Sequence, residues 1–339
     1  APLIAHMYQL LVAAGFTGGA ILDLGCGSGR FLEHAPAGLD LAYTGVDADP
    51  ISAQIAAALH PRATILTGEL QSITLPRRFA AAIGNAPFSA AHVYDSILGY
   101  SGSLHDYFLL RAVKAVRPGG YVVMVTSRHT LDNGLGLCGM VSHVADLVAA
   151  IRLPSRYFAA EGTDVVADVV VLRVRDHDGA ETQGWQPGNR PTTELRATVD
   201  GRPAWAHVSS YWAARPEHVA GTMRLTGYHA NPVAVDVTDA AHAVAEAFTD
   251  AQQYLISCPS DSATDDYSDV VLVDAEGRKE GSFHVADDGQ VVRLTDGALI
   301  PVKRPTAELR ELIKLRDAAT ELLAAEADWD QPDEALEPA

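Results

Sequence analysis

Several features that mark particular classes of protein are absent from this 339-residue sequence. No run of about 18 apolar residues occurs, so no segment is predicted to span a membrane, and no signal-peptide pattern is present. The three cysteines, Cys26, Cys138 and Cys258, lie far apart and form no CxxC pair. This spacing argues against a disulfide framework and against a cysteine-based zinc site. Together these absences predict a cytoplasmic protein without a bound metal ion.

Positively charged residues are scarce as well. The chain has 25 Lys and Arg residues against 43 Asp and Glu residues, a net charge of −18, and an acidic surface repels nucleic acid. The charge is unevenly distributed, because residues 1–176 carry 12 basic and 14 acidic side chains, whereas residues 177–339 carry 13 and 29. The objection to a nucleic-acid partner therefore applies mainly to the second part of the chain.

The first 130 residues alternate short apolar strands with helices. Strands are predicted at residues 21–24, 42–46, 64–66, 80–83 and 121–125, and helices at residues 30–34, 51–59 and 104–116. Such an alternation is typical of an open, doubly wound parallel α/β sheet. In sheets of this kind ligands bind at the carboxyl ends of the strands, so the residues that follow each strand are the first candidates for a site.

A change of character near residue 176 predicts two domains. Residues 165–174 are almost continuously β-branched and suit a last strand buried on both faces, whereas residues 176–191 are polar and rich in turn formers. Residues 177–339 are predicted to form an acidic α+β accessory domain with a role in target recognition or as a linker. Within it we expect strands at 270–273 and 290–294, a helix at 306–326 and a disordered tail.

A glycine-rich turn follows the first predicted strand. Gly25, Gly27 and Gly29 allow backbone N–H groups to approach a ligand closely, since no Cβ intervenes. Asp47 ends the next strand, where a carboxylate can accept both hydroxyls of a ribose. The two features together predict a nucleotide-type ligand.

The residues around this turn, Asp23-Leu24-Gly25-Cys26-Gly27-Ser28-Gly29, resemble the S-adenosylmethionine (SAM) loop of class I methyltransferases. The resemblance implies a Rossmann-like fold with SAM as cofactor. It also implies that Asp23 and the loop backbone, including Cys26, hold the methionine part of SAM and that Asp47 holds the ribose. Glu69 falls where related enzymes place an acid that contacts the adenine of SAM, although a solvated loop carboxylate is the alternative. A nicotinamide oxidoreductase is the competing use of such a sheet.

A second motif, Asn85-Ala86-Pro87-Phe88, follows the fourth predicted strand and resembles the [DNS]PP[YF] motif of methyltransferases that modify amide or exocyclic nitrogens. The lone pair of a planar amino nitrogen is delocalised, so catalysis depends on positioning the nitrogen. The side-chain oxygen of Asn85 and the carbonyl of Ala86 are expected to accept its two N–H bonds. Pro87 stiffens the turn, and Phe88 offers a stacking face for a base. Ala86 departs from the family's proline and reduces this rigidity.

Longer stretches resemble the large N6-adenine DNA methyltransferases of bacteria, plasmids and phages that are fused to, or encoded with, a helicase. They are residues 104–108, 117–120, 126–128, 151–158 and 162–165, so the resemblance spans about residues 1–176. It implies methylation of a flipped-out adenine in DNA, a role in restriction-modification or phage defence, and a helicase or other defence subunit as partner. It also implies that Phe158, or Tyr157 beside it, stacks on the base. No lysine follows a glycine, so the chain has no helicase P-loop.

Two other functions stay open at this point. The chain can be a protein-glutamine or RNA nitrogen methyltransferase, or a non-catalytic fragment of a larger helicase-methyltransferase that docks DNA or a partner. For a DNA substrate, five arginines are candidates for a phosphate path. They are Arg77, Arg78, Arg128, Arg152 and Arg156.

Overall fold

The computed structural model describes most of the chain. The described residues are 2–75, 79–89, 91–96, 98–132, 141, 144–159, 165–175, 192–227, 232–257, 283–286, 289–295, 298–302 and 305–329. They belong to two compact units, Ala1–Ser268 and Asp269–Ala339. The predicted strand at 270–273, the tail after residue 329, residues 162–164 and the pair Arg77 and Arg78 lie outside the described residues.

The first unit contains thirteen described strands and seven described helices. The strands are β1 (Gly19–Leu24), β2 (Leu41–Asp47), β3 (Thr64–Thr67), β4 (Phe79–Asn85), β5 (His92–Asp95), β6 (Tyr100–Ser103), β7 (Val116–Ser127), β8 (Ala145–Arg152), β9 (Ala167–Val174), β10 (Thr192–Val199), β11 (Arg202–Ser209), β12 (Thr222–Leu225) and β13 (Val233–Asp236). The helices are α1 (Pro2–Ala13), α2 (Arg30–Glu33), α3 (Pro50–Leu59), α4 (Leu104–Ala115), α5 (His129–Asp132), α6 (Tyr211–Ala214) and α7 (Ala240–Ser257).

Seven of these strands form the central sheet in the order β3-β2-β1-β4-β7-β9-β8. All neighbours are parallel except that β9 runs antiparallel to both β7 and β8. The predicted Rossmann-like, doubly wound sheet is therefore confirmed, with β9 as the single reversed strand. The strand order changes direction between β1 and β4, and this switch point opens the crevice in which such sheets bind ligands.

The central strands are buried on both faces, which explains their continuous apolar sequence. Leu22 and Leu24 of β1 join the core under α4, whereas the preceding residue, Ile21, joins the core under α1 and α7. This alternation follows from the two-residue period of a strand. Helices therefore cover both faces of the sheet and leave its carboxyl edge for the site.

The first unit extends by packing to Ser268, past the boundary predicted at residue 176. Helix α7 packs on α1 and β8, and Trp212 of α6 is 1% exposed in the core under α4. Described residues between 192 and 257 therefore share cores with the sheet. A functional division of the chain at residue 176 stays a prediction.

The second unit holds a three-stranded antiparallel sheet and one long helix. Its strands are β14 (Phe283–Val285), β15 (Val291–Thr295) and β16 (Ala298–Pro301), followed by α8 (Ala307–Trp329). The strand predicted at 290–294 and the helix predicted at 306–326 correspond to β15 and α8. Among the described residues, no helix is long and apolar enough to cross a membrane.

Candidate cofactor and catalytic site

The glycine turn leaves β1 at the switch point of the sheet. Gly25, Gly27 and Gly29 have φ angles of +73°, +53° and +85°, a left-handed region that glycine adopts without strain. A Cβ at position 27 would meet no atom within 4 Å, whereas one at position 25 would lie 3.2 Å from the ring of Phe108. The backbone at Gly27 is thus open to a ligand, and the turn leads into the short helix α2.

Asp47, at the end of β2, organises this turn. Its Oδ2 accepts a 2.7 Å hydrogen bond from the N–H of Gly27, and its Oδ1 accepts a 2.9 Å bond from the N–H of Asp49. A carboxylate offers about four lone-pair sites, so both oxygens keep acceptor capacity. The contact between Asp47 and a ribose stays a prediction. The structure shows a further role for Asp47, which is to hold the glycine turn in position.

Asp23 lies two residues before the turn and is fully buried. The hydroxyl of Tyr43 donates a 2.5 Å hydrogen bond to its Oδ2, whereas its Oδ1 accepts none from the described residues. Burial raises the pKa of Asp23 to about 7, the hydrogen bond from Tyr43 acts in the opposite direction, and the charge of Asp47 adds to the increase. The site therefore contains a carboxyl group whose ionisation is costly in the unliganded protein.

Asn85 is the last residue of β4 and is exposed at the carboxyl edge. The next residue, Ala86, is fully buried, and its N–H donates a 3.1 Å hydrogen bond to the carbonyl of Val125 in β7. This bond continues the pairing of β4 with β7 by one residue. The backbone that carries the Asn85 amide is therefore held by the sheet.

Aromatic rings lie beside this motif. The rings of Phe88 and Phe158 are 6.0 Å apart and tilted by 40°, and Tyr157 contacts Phe158 edge-on at 5.2 Å. Tyr157 and Phe158 belong to the loop after β8, which Ser155 ties to β13 through two hydrogen bonds with Val235. Residues distant in sequence thus form one aromatic group next to Asn85.

A cavity of about 470 Å³ joins the turn to the motif, within the size range of small-molecule sites. The structure brings together around it Gly25, Cys26, Gly27, Asn85, Tyr157 and Phe158. Other predicted site residues do not line it, namely Asp23, Gly29, Asp47, Glu69, Ala86, Pro87 and Phe88. Burial raises the pKa of the Cys26 thiol to about 12, so this side chain is an uncharged thiol that packs in the protein interior.

Glu69 is exposed beyond β3. Its carbonyl accepts hydrogen bonds from the N–H and the hydroxyl of Ser72. The neighbouring Gly68 donates its N–H to the carbonyl of Asp47 at 2.9 Å, so the loop lies beside the end of β2. A role of the Glu69 carboxylate in binding an adenine stays a prediction.

Sequence reasoning missed one wall of the cavity. Pro2, Leu3 and Ile4, at the start of α1, line it together with Arg30 and Phe31 of α2. Pro2, Leu3, Ile4 and Phe31 are apolar and belong to no recognised motif, and α1 reaches the site because it packs on α7. The apolar spacing of residues 2–13 was the available signal, since it predicts a helix with a buried face.

Two of the arginines predicted for a phosphate path are buried, so that prediction is wrong for them. Arg152 is 0% exposed and forms ion pairs with Asp168 at 2.8 Å and Asp132 at 3.0 Å. Arg128 is 4% exposed and pairs with Asp132 at 3.3 Å. Arg156 is exposed on the loop after β8.

Comparison with known proteins gives partial matches. No family model matches the chain. The Defense against restriction protein B of Escherichia phage P1 is 26% identical over 188 residues, which are 53% of this chain and 8% of that protein. A Listeria monocytogenes protein described as a class I SAM-dependent methyltransferase is 17% identical, with a TM-score of 0.45 over 53% of this chain and 61% of that one. The M protein of the type I restriction enzyme EcoKI is 15% identical, with a TM-score of 0.46 over 76% and 70%. The chain thus corresponds to a small part of a much longer phage protein.

Proposed function

We propose that this chain is a SAM-dependent methyltransferase that methylates N6 of a flipped-out adenine in DNA. The observation that carries the proposal is the shared cavity, because the glycine turn after β1 and Asn85 at the end of β4 line the same space. A cofactor bound at the turn and an amino group bound at Asn85 therefore meet in one cavity. The resemblance of the two motifs to those of nitrogen methyltransferases gives these groups their identities.

The residues present suit SAM. At Gly27 a ligand can approach the backbone, since no atom lies within 4 Å of a Cβ position there. The buried Oδ1 of Asp23 has no hydrogen-bond donor among the described residues, which leaves acceptor capacity for a cationic group. The carboxylate of Asp47 keeps lone pairs for the ribose hydroxyls while it holds the turn.

The chemistry assigned to the motif is positioning. Bound at the glycine turn, SAM would supply a methyl group from its sulfonium: a C–N bond would form as the methyl–sulfur bond breaks, the sulfur would leave as a neutral thioether, and the methylated amino group would lose one proton to water. The side-chain oxygen of Asn85 and the carbonyl of Ala86 accept the two N–H bonds and aim the nitrogen lone pair. The bond from Ala86 to Val125 fixes the backbone that carries both acceptors. The aromatic pair Phe88 and Phe158 stacks on the base.

One observation supports adenine in DNA as the substrate, and a second supports a role in defence. The stretches between residues 104 and 165 resemble helicase-associated N6-adenine enzymes, and the phage protein that matches over 188 residues is named for defence against restriction. A role in restriction-modification or phage defence, with a helicase or another defence subunit as partner, belongs to the same proposal. Opening of the DNA by such a partner is part of the same proposal.

The test is single-molecule sequencing for N6-methyladenine in a host that expresses the chain with and without its genomic neighbours. We expect methylation of a defined DNA sequence, and Asn85→Ala should reduce it at least about 100-fold, since positioned acceptors contribute on that order. Phe88→Ala should reduce it as well. Calorimetry should find the SAM affinity of both variants within about threefold of the wild type, because the turn and Asp47 are unchanged.

The matched control is Gln54→Ala, which removes an exposed amide from α3 and should leave methylation unchanged. Methyl transfer to RNA or to a protein glutamine, with DNA unmodified, would select a different nitrogen methyltransferase. SAM binding without transfer to any acceptor would identify a docking fragment. Competition between NADH and SAM for the site would favour an oxidoreductase.

A further inference from the structure

A β-hairpin follows the Asn85–Phe88 motif directly. Its strands β5 and β6 are antiparallel, with His92 opposite Ser103 and Tyr94 opposite Ser101. Alternate residues of a strand point to opposite faces, and β5 is exposed at His92 and Tyr94 but buried at Val93 and Asp95. The imidazole of His92 and the phenol ring of Tyr94, which is 73% exposed, therefore share the outer face of the hairpin.

The inner face anchors the hairpin to α4. The carboxylate of Asp95 accepts hydrogen bonds from the Tyr107 hydroxyl at 2.6 Å and from the N–H of Leu98 at 3.0 Å. The ring of Tyr100 lies 5.4 Å from that of Tyr107, and its hydroxyl donates to the carbonyl of Ser103 at 2.6 Å. Because both strands are fastened, the outer face has a fixed position relative to the motif.

A second cavity, of about 490 Å³, lies between this hairpin, the start of α4 and α5. It begins one residue after Phe88, and its polar lining consists of Ser89, His92, Ser103, His105, Asp106 and His129. Hydroxyls and imidazoles predominate, and these groups donate hydrogen bonds without a permanent charge. Across the described residues, no three His, Cys, Asp or Glu side chains are arranged to hold a metal ion.

The one carboxylate in the lining is engaged within the protein. Oδ1 of Asp106 accepts a 2.7 Å hydrogen bond from the hydroxyl of Thr130 and lies 3.7 Å from Nε2 of His105. Burial lowers the pKa of His105, and the charge of Asp106 opposes this effect. Ser89 and His92 supply the hydrogen-bond donors at the exposed side of the cavity. The Oγ of Ser89 accepts a 3.0 Å hydrogen bond from the N–H of Ala91. Because that bond uses a lone pair of the oxygen, the Ser89 hydroxyl can still donate its proton.

We propose that this cavity and the outer face of the hairpin bind the sugar-phosphate backbone of the DNA strand next to the target adenine. Ser89 and His92 donate hydrogen bonds to one phosphodiester, and Tyr94 stacks on a neighbouring base. Contacts to phosphate fix the register of a protein on DNA, and stacking on an aromatic ring tolerates any sequence. The inference rests on the proposed function and names the surface that positions its substrate.

The near-neutral charge of residues 1–176 favours this surface over a basic one. That part of the chain has 12 basic against 14 acidic side chains, and Arg128 and Arg152 are buried in ion pairs, so these two arginines do not reach a phosphate. Neutral hydrogen-bond donors and aromatic stacking supply the alternative. We therefore expect DNA affinity to respond strongly to a single charge placed in the cavity.

The experiment changes the charge at His92 in the full chain. The probe is a duplex that contains the methylated sequence found by sequencing, with affinity measured by fluorescence anisotropy. His92→Glu should weaken binding at least tenfold, and His92→Lys should strengthen it at least twofold. The control pair is His242→Glu and His242→Lys, since His242 is 69% exposed on α7, and each should change affinity less than twofold. SAM affinity should be the same in all four variants.

Two further measurements identify the ligand group. Uncharged methylphosphonates are substituted one at a time near the target adenine, and one position should weaken wild-type binding but cause no further loss in a Ser89→Ala/His92→Ala variant. Tyr94→Ala should weaken binding about fivefold or more, and Tyr94→Phe should restore it, because the ring is retained. If wild-type DNA methylation is normal while the His92 and Tyr94 variants bind like the wild type, this surface is not the DNA site. If the wild type binds SAM but neither binds nor methylates DNA, the proposed function fails and this proposal with it.

Discussion

The two carboxylate oxygens of Asp23 have different surroundings, and this has a measurable consequence. Oδ2 accepts a hydrogen bond from the hydroxyl of Tyr43, whereas Oδ1 has no donor among the described residues, and burial raises the pKa of this group to about 7. The folded protein therefore binds a proton more tightly than the unfolded chain. The resulting stabilisation is fully present below about pH 4 and is lost as the pH rises through about 7.

We predict that the unfolding free energy of the unliganded protein decreases by about 1 kcal/mol between pH 6 and pH 8 relative to that of Asp23→Asn. The asparagine keeps an acceptor for Tyr43 but cannot ionise. Urea denaturation at both pH values measures the difference, and Asp40→Asn, which removes an exposed carboxylate, serves as the control. Equal pH profiles for the wild type and Asp23→Asn would show that Asp23 is not a titrating group in this range.

Individual residues of the candidate site differed in how well they could be predicted. Gly25 and Asn85 follow different strands, and parallel strands place their carboxyl ends at one edge, so their meeting in one cavity followed from the pattern. The burial of Arg152 did not, because its partner Asp132 lies 20 residues away in sequence and an arginine is usually exposed. The wall formed by Pro2–Ile4 was missed for a similar reason, since it depends on how α1 packs.

At the scale of elements, the ion pairs of Arg152 connect several strands and helices. Arg152 of β8 pairs with Asp168 of β9 and Asp132 of α5, and its guanidinium lies 4.5 Å from the ring centroid of Trp212 in α6. Asp132 also accepts the N–H of Ser209 in β11 at 2.9 Å. The segment that follows residue 191 is thus fastened to the sheet through buried charge.

We predict that Arg152→Met lowers the unfolding free energy by about 3–5 kcal/mol, because two buried carboxylates lose their shared cation. Chemical denaturation followed by circular dichroism measures the change. The control is Arg196→Met, which removes an exposed pair with Glu194 on β10 and should have no measurable effect. A similarly small effect of Arg152→Met would mean that Asp132 and Asp168 become protonated or hydrated at little cost.

The elements that could be predicted are those with a strong local pattern. Strands β1 and β4 consist mostly of buried apolar residues, and α3 and α4 have helical spacing with defined ends. The reversed direction of β9 has no local signature. A strand buried on both faces has the same continuous apolar sequence whether it runs parallel or antiparallel to its neighbours. The hairpin β5–β6 was missed since its four-residue strands are short and half polar.

At the scale of the whole molecule, negative charge is concentrated towards the end of the sequence. Residues 269–339 contain eight Lys and Arg residues against 17 Asp and Glu residues, which is half of the net charge of −18. All seven strands of the central sheet and both cavities belong to the other unit. The smaller unit therefore carries as much net negative charge as the much longer unit that holds the candidate site.

We predict that a chain ending at Ser268 keeps the circular dichroism of its helices and sheet, binds SAM like the full chain, and binds DNA about three to ten times more tightly at 50 mM salt. Removing the acidic unit lessens long-range repulsion of phosphates. The gain should disappear near 1 M salt, where the screening length falls to about 3 Å. Calorimetry and anisotropy over a salt series measure both affinities. Weaker DNA binding after the deletion would instead assign direct DNA contacts to the second unit, which is what a target-recognition role for it requires.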